Sequence, residues 1–287
     1  MHMELLDGRK VADELLDTLK IEVESLQQKN ISPKLVVILV GDNAASLSYI
    51  KQKRKACERT GILWEQINYE ESVTTEELIG KIEELNKRDD VHGILVQLPI
   101  PQQIFVPDVL KAIEPKKDVD GFTAYNIGKM FLSPDFEDLP PCTPAGVIKM
   151  LDYYKINVEG MDAVIVGASN IVGKPLTTML LNRGATTTTC HIKTKDLKSH
   201  TLRADLLCVA VGKRNLITED MVKEGVIVVD IGTNRKEDGK LCGDTDFENV
   251  SKKASYITPV PGGVGPMTVA CLMENTVKAA KRLNQIN

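Results

Sequence analysis

Asp162-Ala-Val-Ile-Val-Gly167-Ala-Ser169-Asn-Ile-Val-Gly173-Lys-Pro175 decides the class of this 287-residue chain. A short, continuously apolar run ends in glycine, the mark of a strand covered on both faces of a parallel sheet, and a helical stretch to about Arg183 follows. Glycines at a strand-to-helix turn let backbone amides approach a phosphate at the helix N-terminus. Ser169 occupies the place of the middle glycine in the strict Gly-x-Gly-x-x-Gly pattern, so the turn alone is a weak signal. A turn that binds nothing is the alternative. Ser169 or Asn170 is placed to cap the helix.

The same alternation extends in both directions. Downstream, strands are expected over 186–190, 205–211 and 226–230, giving a Rossmann-like sheet. Upstream, Val11, Leu15, Leu16, Leu19 and Val23 recur at helical spacing after a capping Asp7, and Lys34-Leu-Val-Val-Ile-Leu-Val-Gly41 reads as a buried strand. Helix over 44–60, strand over 63–68, a helix opened by Thr74 or Thr75 and strand over 93–97 complete a second set of βαβ units. Between 114 and 144 the pattern dissolves into Pro, Asp, Lys and Gly, including Pro134, Pro140, Pro141 and Pro144. The chain is therefore read as α/β with two domains, joined near this junction. A helix over 144–154 enters the second domain, and one over 267–283 closes the chain.

Composition removes several function classes. A net charge of −4 with no long block of Lys or Arg offers no field for nucleic acid. No apolar run approaches the roughly 20 residues that span a bilayer, and no leader pattern opens the chain, so a cytoplasmic protein is expected. The six cysteines form no Cys-x-x-Cys pair and the four histidines no metal spacing, so reduced cysteines and no metal are expected.

Three further places can carry chemistry. Ser46, Tyr49 and Lys53 share one face of the helix after the first long strand, at the carboxyl end where α/β proteins hold ligands. Tyr49 offers a ring to a flat ligand and Lys53 an amine for proton exchange; the bland alternative is a solvated lysine among Lys51, Arg54 and Lys55. Gln97 ends a strand before Leu98-Pro99, and Asp118-Val-Asp120-Gly121 is a turn with two carboxylates, for which weak Mg²⁺ ligation is conceivable but not supported by two groups alone. Thr258-Pro-Val-Pro261-Gly262-Gly263-Val-Gly-Pro-Met-Thr268 is backbone stripped for close approach. Roughly 20 residues beyond a dinucleotide turn, an NAD site offers a carboxylate to the ribose. Here stands Cys190-His191-Ile192-Lys193-Thr194-Lys195, without one. Lys193 is able to attract a 2′-phosphate, which favours NADP over NAD, unless Lys193 and Lys195 are merely solvated. His191 reads as a polar strand-end residue more readily than as a base.

Together, Tyr49-x-x-x-Lys53, Val96-Gln97-Leu98-Pro99, Lys117-Asp-Val-Asp120-Gly121, Pro141-Cys-Thr-Pro144, Gly167-Ala-Ser-Asn-Ile-Val-Gly-Lys-Pro175 and Pro259 to Thr268 resemble the bifunctional methylenetetrahydrofolate dehydrogenase/cyclohydrolase family, in order and over nearly the whole chain. The resemblance implies an α/β substrate domain, 1–142 plus 267–287, and a Rossmann domain, 143–266, flanking a cleft, with the last helix returning to the first domain, and a homodimer. It implies that 5,10-methylenetetrahydrofolate is oxidised with NADP⁺ and then hydrolysed to 10-formyltetrahydrofolate. Tyr49 would stack on the folate, Lys53 would be the general acid/base, Gln97 would position Lys53, and Asp120 would hold the pterin. Leu98, Pro261, Gly262 and Gly263 would complete the substrate site; Gly167, Ala168, Ser169, Ile171, His191, Lys193 and Thr233 would hold the cofactor. Some members carry Arg at the position of Ala168 and Ser at that of Ile192, and a larger aliphatic residue is common where Thr233 stands. A dehydrogenase without hydrolase activity, and a non-catalytic nucleotide sensor on the same scaffold, are the competing readings.

Overall fold

The computed structural model describes residues 3–286. The chain opens with β1 (Glu4–Leu5) and α1 (Gly8–Gln27), then forms β2 (Lys34–Val40), α2 (Ala44–Thr60), β3 (Leu63–Tyr69), α3 (Thr75–Asn86), β4 (Gly93–Val96), α4 (Val106–Ala112) and α5 (Ala124–Leu132). It continues through α6 (Cys142–Tyr153), β5 (Asp162–Val166), α7 (Gly173–Leu181), β6 (Thr186–Cys190), α8 (Leu197–Thr201), β7 (Leu206–Val209) and β8 (Ile227–Asp230). A short hairpin, β9 (Asn234–Arg235) with β10 (Leu241–Cys242), precedes α9 (Phe247–Val250), β11 (Tyr256–Ile257) and α10 (Val264–Leu283). The elements divide into two compact units: Asp13–Met130 with Asp135–Cys142 and the chain from Val269, and Thr143–Thr268 with Phe131–Pro134 and the chain up to Ala12.

The first unit holds a three-stranded parallel sheet in the order β3-β2-β4, with Val37 opposite Gln66 on one side and Leu95 on the other. Leu35 to Val40 are all buried, as a central parallel strand covered on both faces requires. On one face Val36, Ile38 and Val40 pack with Leu78, Ile82 and Leu85 of α3 and with Ile94 and Val96 of β4. Thr74 opens α3 with a capping box: its hydroxyl accepts from Glu77 N at 3.2 Å, and the Glu77 carboxylate accepts from Thr74 N at 2.8 Å.

The second unit is a six-stranded parallel sheet, β1-β11-β8-β7-β5-β6. From β5 the chain winds one way to β6 and the other way to β7, β8 and β11, so the sheet changes direction between β5 and β7. Doubly wound sheets bind ligands at the carboxyl ends of the strands flanking such a point.

Three differences from the sequence expectation have physical reasons. The segment before α1 was expected with the first domain, but Glu4 and Leu5 pair in parallel with Tyr256 and Ile257 and attach it to the second sheet. The junction contains α5, whose buried residues are only Asn126 and Met130, too few to print a helical period. The last helix starts at Val264, not 267, drawing the end of the glycine-proline stretch into its first turn.

Gly93 of β4 allows Val119 to approach: a Cβ there would meet the Val119 methyls at 2.8 and 2.9 Å. Gly93→Ala should lower unfolding free energy by about 1–3 kcal/mol. Gly80→Ala, at an open position in α3, should leave it unchanged or raise it by about 0.5–1 kcal/mol. Urea denaturation of the two variants reads the contrast.

Candidate functional site

In the first unit, α2 buries a stripe made of Ser46, Ile50, Lys53, Cys57 and Thr60, while Lys51, Arg54 and Lys55 face solvent. Lys53 is thus no solvated lysine: only 7% of it is exposed. Its ammonium donates at 2.9 Å to Gln97 Oε1. Gln97 follows β4, its backbone N donating to Ile38 O at 2.9 Å and its Nε2 donating to Leu98 O at 2.6 Å. With the amide nitrogen held by the Leu98 carbonyl, the amide oxygen is left to face Lys53. An ammonium out of water needs such an acceptor, and Gln97 takes one of its three hydrogens, leaving the others for a ligand. One turn before Lys53, Tyr49 is 37% exposed, so its ring is open to a flat partner.

The two carboxylates of the Asp118-Val-Asp120-Gly121 turn have different fates. Asp118 is buried and accepts from the backbone N–H groups of Gly121, Phe122 and Thr123 and from Asn126 Nδ2 of α5. Asp120 is half-buried and accepts from no backbone amide of that loop. Burial pushes its carboxyl above the usual aspartate range, the positive charge of Lys53 pulls it back, nearby Asp118 raises it, and the Cys142 thiol lowers it by hydrogen bonding. Lys53, Gln97 and Asp120 therefore form one electrostatic cluster. An acceptor, an ammonium and an exposed ring can bind a flat heterocycle and move a proton beside it.

In the second unit, the β5–α7 turn has the shape of a phosphate cradle. Gly167 has φ +122°, and a Cβ on it would lie 2.9 Å from the Ala210 backbone carbon; a Cβ on Gly173 would lie 2.6 Å from the Gly167 carbonyl carbon. Both positions require glycine. The Ser169 hydroxyl accepts from Val172 N at 3.1 Å and Gly173 N at 3.4 Å, tying the turn to the start of α7. Asn170 instead accepts from the Lys174 ammonium at 2.7 Å. Ala168 is partly exposed and Ile171 exposed. At the end of β6, His191 N donates to Thr194 Oγ1 at 2.8 Å and His191 Nδ1 accepts from Lys193 N at 3.1 Å, which shapes a turn with the side chains of Ile192 and Lys193 in solvent. These residues fit a dinucleotide: the glycine cradle and the helix N-terminus suit a pyrophosphate, and the exposed Lys193 stands at the end of a strand whose following residues, His191 to Lys195, include no carboxylate. Pro261, Gly262 and Gly263 belong to this unit too. Gly262 O accepts from Arg9 N at 2.9 Å; a Cβ on Gly8 would lie 2.7 Å from the Gly263 carbonyl carbon, and a Cβ on Gly263 would lie 2.6 Å from Pro259 O and 2.8 Å from Thr258 Cβ.

Two buried carboxylates, which the sequence reading passed over, stitch the loops of this unit. Asp230 accepts from Gly232 N and Asp244 N at 3.0 Å each, from Thr245 N at 2.8 Å and from Thr245 Oγ1 at 2.6 Å. Asp244 accepts from Val211 N at 2.7 Å, Gly212 N at 2.9 Å and Asn234 Nδ2 at 2.8 Å. Thr233, exposed between Gly232 and Asn234, is held by both. A carboxylate ending an apolar strand, as Asp230 does, was the available signal. Among the described residues, no group of three or more His, Cys, Asp or Glu is arranged to hold a metal, and no helix is long and apolar enough to cross a membrane. None of the six cysteines is in a disulfide.

Two family models match: the catalytic domain of tetrahydrofolate dehydrogenase/cyclohydrolase over residues 6–120, and its NAD(P)-binding domain over residues 141–284. A Campylobacter jejuni protein named "Bifunctional protein FolD" is 57% identical over 283 residues, covering 98% of this chain and all of the relative. One of the same name from Nautilia profundicola is 55% identical over 279 residues, 97% of this chain and 98% of the relative. The crystal structure of the bifunctional methylenetetrahydrofolate dehydrogenase/cyclohydrolase from Campylobacter jejuni matches with a TM-score of 0.95 at 55% identity, over 98% of this chain and 99% of that one. The Trypanosoma brucei dehydrogenase-cyclohydrolase, complexed with NADP cofactor and inhibitor, matches at 0.94 with 34% identity over 98% of each chain.

Gly167→Ala should weaken NADP⁺ binding by about tenfold or more, because the backbone must leave φ +122° or displace Ala210. Tetrahydrofolate binding should stay within about twofold. Calorimetric titration with each ligand reads both.

Proposed function

The chain belongs to the tetrahydrofolate dehydrogenase/cyclohydrolase family, and from that premise we propose that it oxidises 5,10-methylenetetrahydrofolate and hydrolyses the product to 10-formyltetrahydrofolate, with NADP⁺ preferred. The observation that carries the reading is the buried Lys53 ammonium, hydrogen-bonded to Gln97 and coupled electrostatically to Asp120. When bound, the dinucleotide supplies the hydride acceptor. Gly167, Ala168, Ser169, Ile171, His191, Lys193 and Thr233 would hold it, and the charge of Lys193 would favour a 2′-phosphate.

On the folate side, the Asp120 carboxylate pairs with the donor edge of the 2-amino-4-oxopteridine and Tyr49 stacks on the ring, with Leu98 beside them. These contacts serve both steps by fixing the reacting carbon. Loss of hydride from the methylene carbon leaves a methenyl cation between N5 and N10. Water adds to that carbon and gives up a proton, leaving a hydroxyl on it; as the bond from carbon to N5 breaks and N5 takes a proton, the hydroxyl proton leaves to form the formyl C=O on N10, so hydrolysis of the cation releases one proton net. Lys53 is the group placed to move these protons, and Gln97 keeps its ammonium in place. The domains are proposed as 1–142 plus 267–287 for folate and 143–266 for NADP, with the segment before α1 following the second sheet, and the protein as a cytoplasmic homodimer.

Mixing the protein with 5,10-methylenetetrahydrofolate and NADP⁺ should form NADPH faster than NAD⁺ forms NADH at equal concentration. No reduced dinucleotide of either kind would reject the dehydrogenase. Lys53→Met should slow methenyl hydrolysis by about 10²–10⁴-fold while NADP⁺ affinity and melting temperature hold. Hydrolysis at the unaltered rate, followed by the decay of methenyl absorbance, would remove Lys53 from the mechanism.

A further inference from the structure

Lys117-Asp118-Val119-Asp120-Gly121 is laid down by its backbone and by the Lys117 and Asp118 side chains, while among the described residues the Asp120 carboxylate has a hydrogen bond only from the Cys142 thiol. The Lys117 ammonium is buried and donates to the carbonyls of Arg88 at 2.7 Å, Asn86 at 2.9 Å and Leu85 at 3.3 Å, capping the carboxyl end of α3. Lys117 O accepts from Ile94 N at 2.8 Å, which sets the segment beside β4. Val119 O accepts from Asn275 Nδ2 at 2.9 Å and from the Cys142 thiol at 3.3 Å. Gly121, at φ +75°, turns where a Cβ would lie 2.5 Å from the Pro140 carbonyl carbon.

Asp118 organises the remainder. One carboxylate oxygen accepts from Gly121 N at 3.0 Å and Phe122 N at 3.1 Å, and the other from Thr123 N at 2.8 Å and Asn126 Nδ2 at 2.9 Å. Charge-assisted bonds of this kind are about twice as strong as neutral ones. They curl the chain around Asp118, so the bearing of residue 120 follows from a carboxylate two residues earlier. We propose that Asp118 is a positioning residue for folate recognition: through its four N–H donors it fixes the direction in which Asp120 presents its carboxylate to the pterin. The proposal rests on the assignment of Asp120 to the pterin made above. It makes the motif one device, in which Lys117 and Asp118 hold the backbone and Asp120 meets the ligand. An amide at 118 keeps the volume but turns a donor toward donors, so Asp118→Asn should re-aim the loop without opening a cavity.

The test is calorimetric titration of tetrahydrofolate into the wild type, Asp118→Asn, Asp120→Ala and the double variant, with NADP⁺ affinity and melting curves alongside. If Asp118 acts through Asp120, Asp118→Asn weakens tetrahydrofolate by about tenfold in the wild-type background and by less than about twofold once Asp120 is alanine. NADP⁺ affinity stays the same throughout. Equal weakening in both backgrounds, or none in either, overturns the proposal. Should Asp118→Asn fail to fold, Asn126→Ala removes one donor, leaves the carboxylate in place and is read in the same two backgrounds with the same criterion. Unchanged tetrahydrofolate affinity in Asp120→Ala alone would instead reject the role of Asp120, so the two failures are told apart.

Discussion

The hydrogen bond from the buried Lys53 ammonium to the Gln97 amide is the constraint around which the first unit is arranged. Taking an ammonium from water costs several kcal/mol unless acceptors replace the lost hydration. The fold meets that requirement by ending β4 at Gln97 and anchoring its amide nitrogen on Leu98 O, so the oxygen is oriented before any ligand arrives. Because β2 is apolar from Leu35 to Val40, it lies between neighbours, and β4 beside it ends with Val96 opposite Ile38, so that Gln97 follows just past the strand. Sheet order thus delivers the acceptor and helix periodicity delivers the ammonium.

A second theme joins the two units: buried carboxylates act as templates for loops. Asp118, Asp230 and Asp244 each gather backbone amides or side-chain donors from loops at the carboxyl ends of strands, where regular pairing has stopped. For Asp230, burial pushes the carboxyl up while the bonds from Asp244 N and Thr245 oppose it. Loops fixed this way hold the backbone at Asp120 and Thr233, the residues proposed above to meet folate and cofactor, the preorganisation that makes a site effective.

Much of this was legible in the residues. The apolar runs at Lys34 and Asp162 located the parallel strands, and Thr74 with Glu77 marked the start of α3. Asp7 did the same for α1, its carboxylate accepting from Lys10 N at 3.1 Å. The face shared by Tyr49 and Lys53 was visible from spacing. Whether Lys53 was solvated was not, because Lys51, Arg54 and Lys55 have the same chemistry and only packing separates them. The pairing of β1 with β11 was hidden for a different reason: two residues carry no period, and their partner lies some 250 positions away. Division of labour between Asp118 and Asp120 likewise depends on which carboxylate the turn encloses.

A crystal structure of the protein with tetrahydrofolate decides whether the Lys53, Gln97 and Asp120 cluster is the folate site. We expect the amino-oxo edge of the pterin at roughly 3 Å from the Asp120 carboxylate. The Tyr49 ring should lie stacked on it and the Lys53 ammonium should still be bonded to Gln97. A pterin bound away from Asp120, or folate seated with Lys53 turned out of the site, would contradict the account.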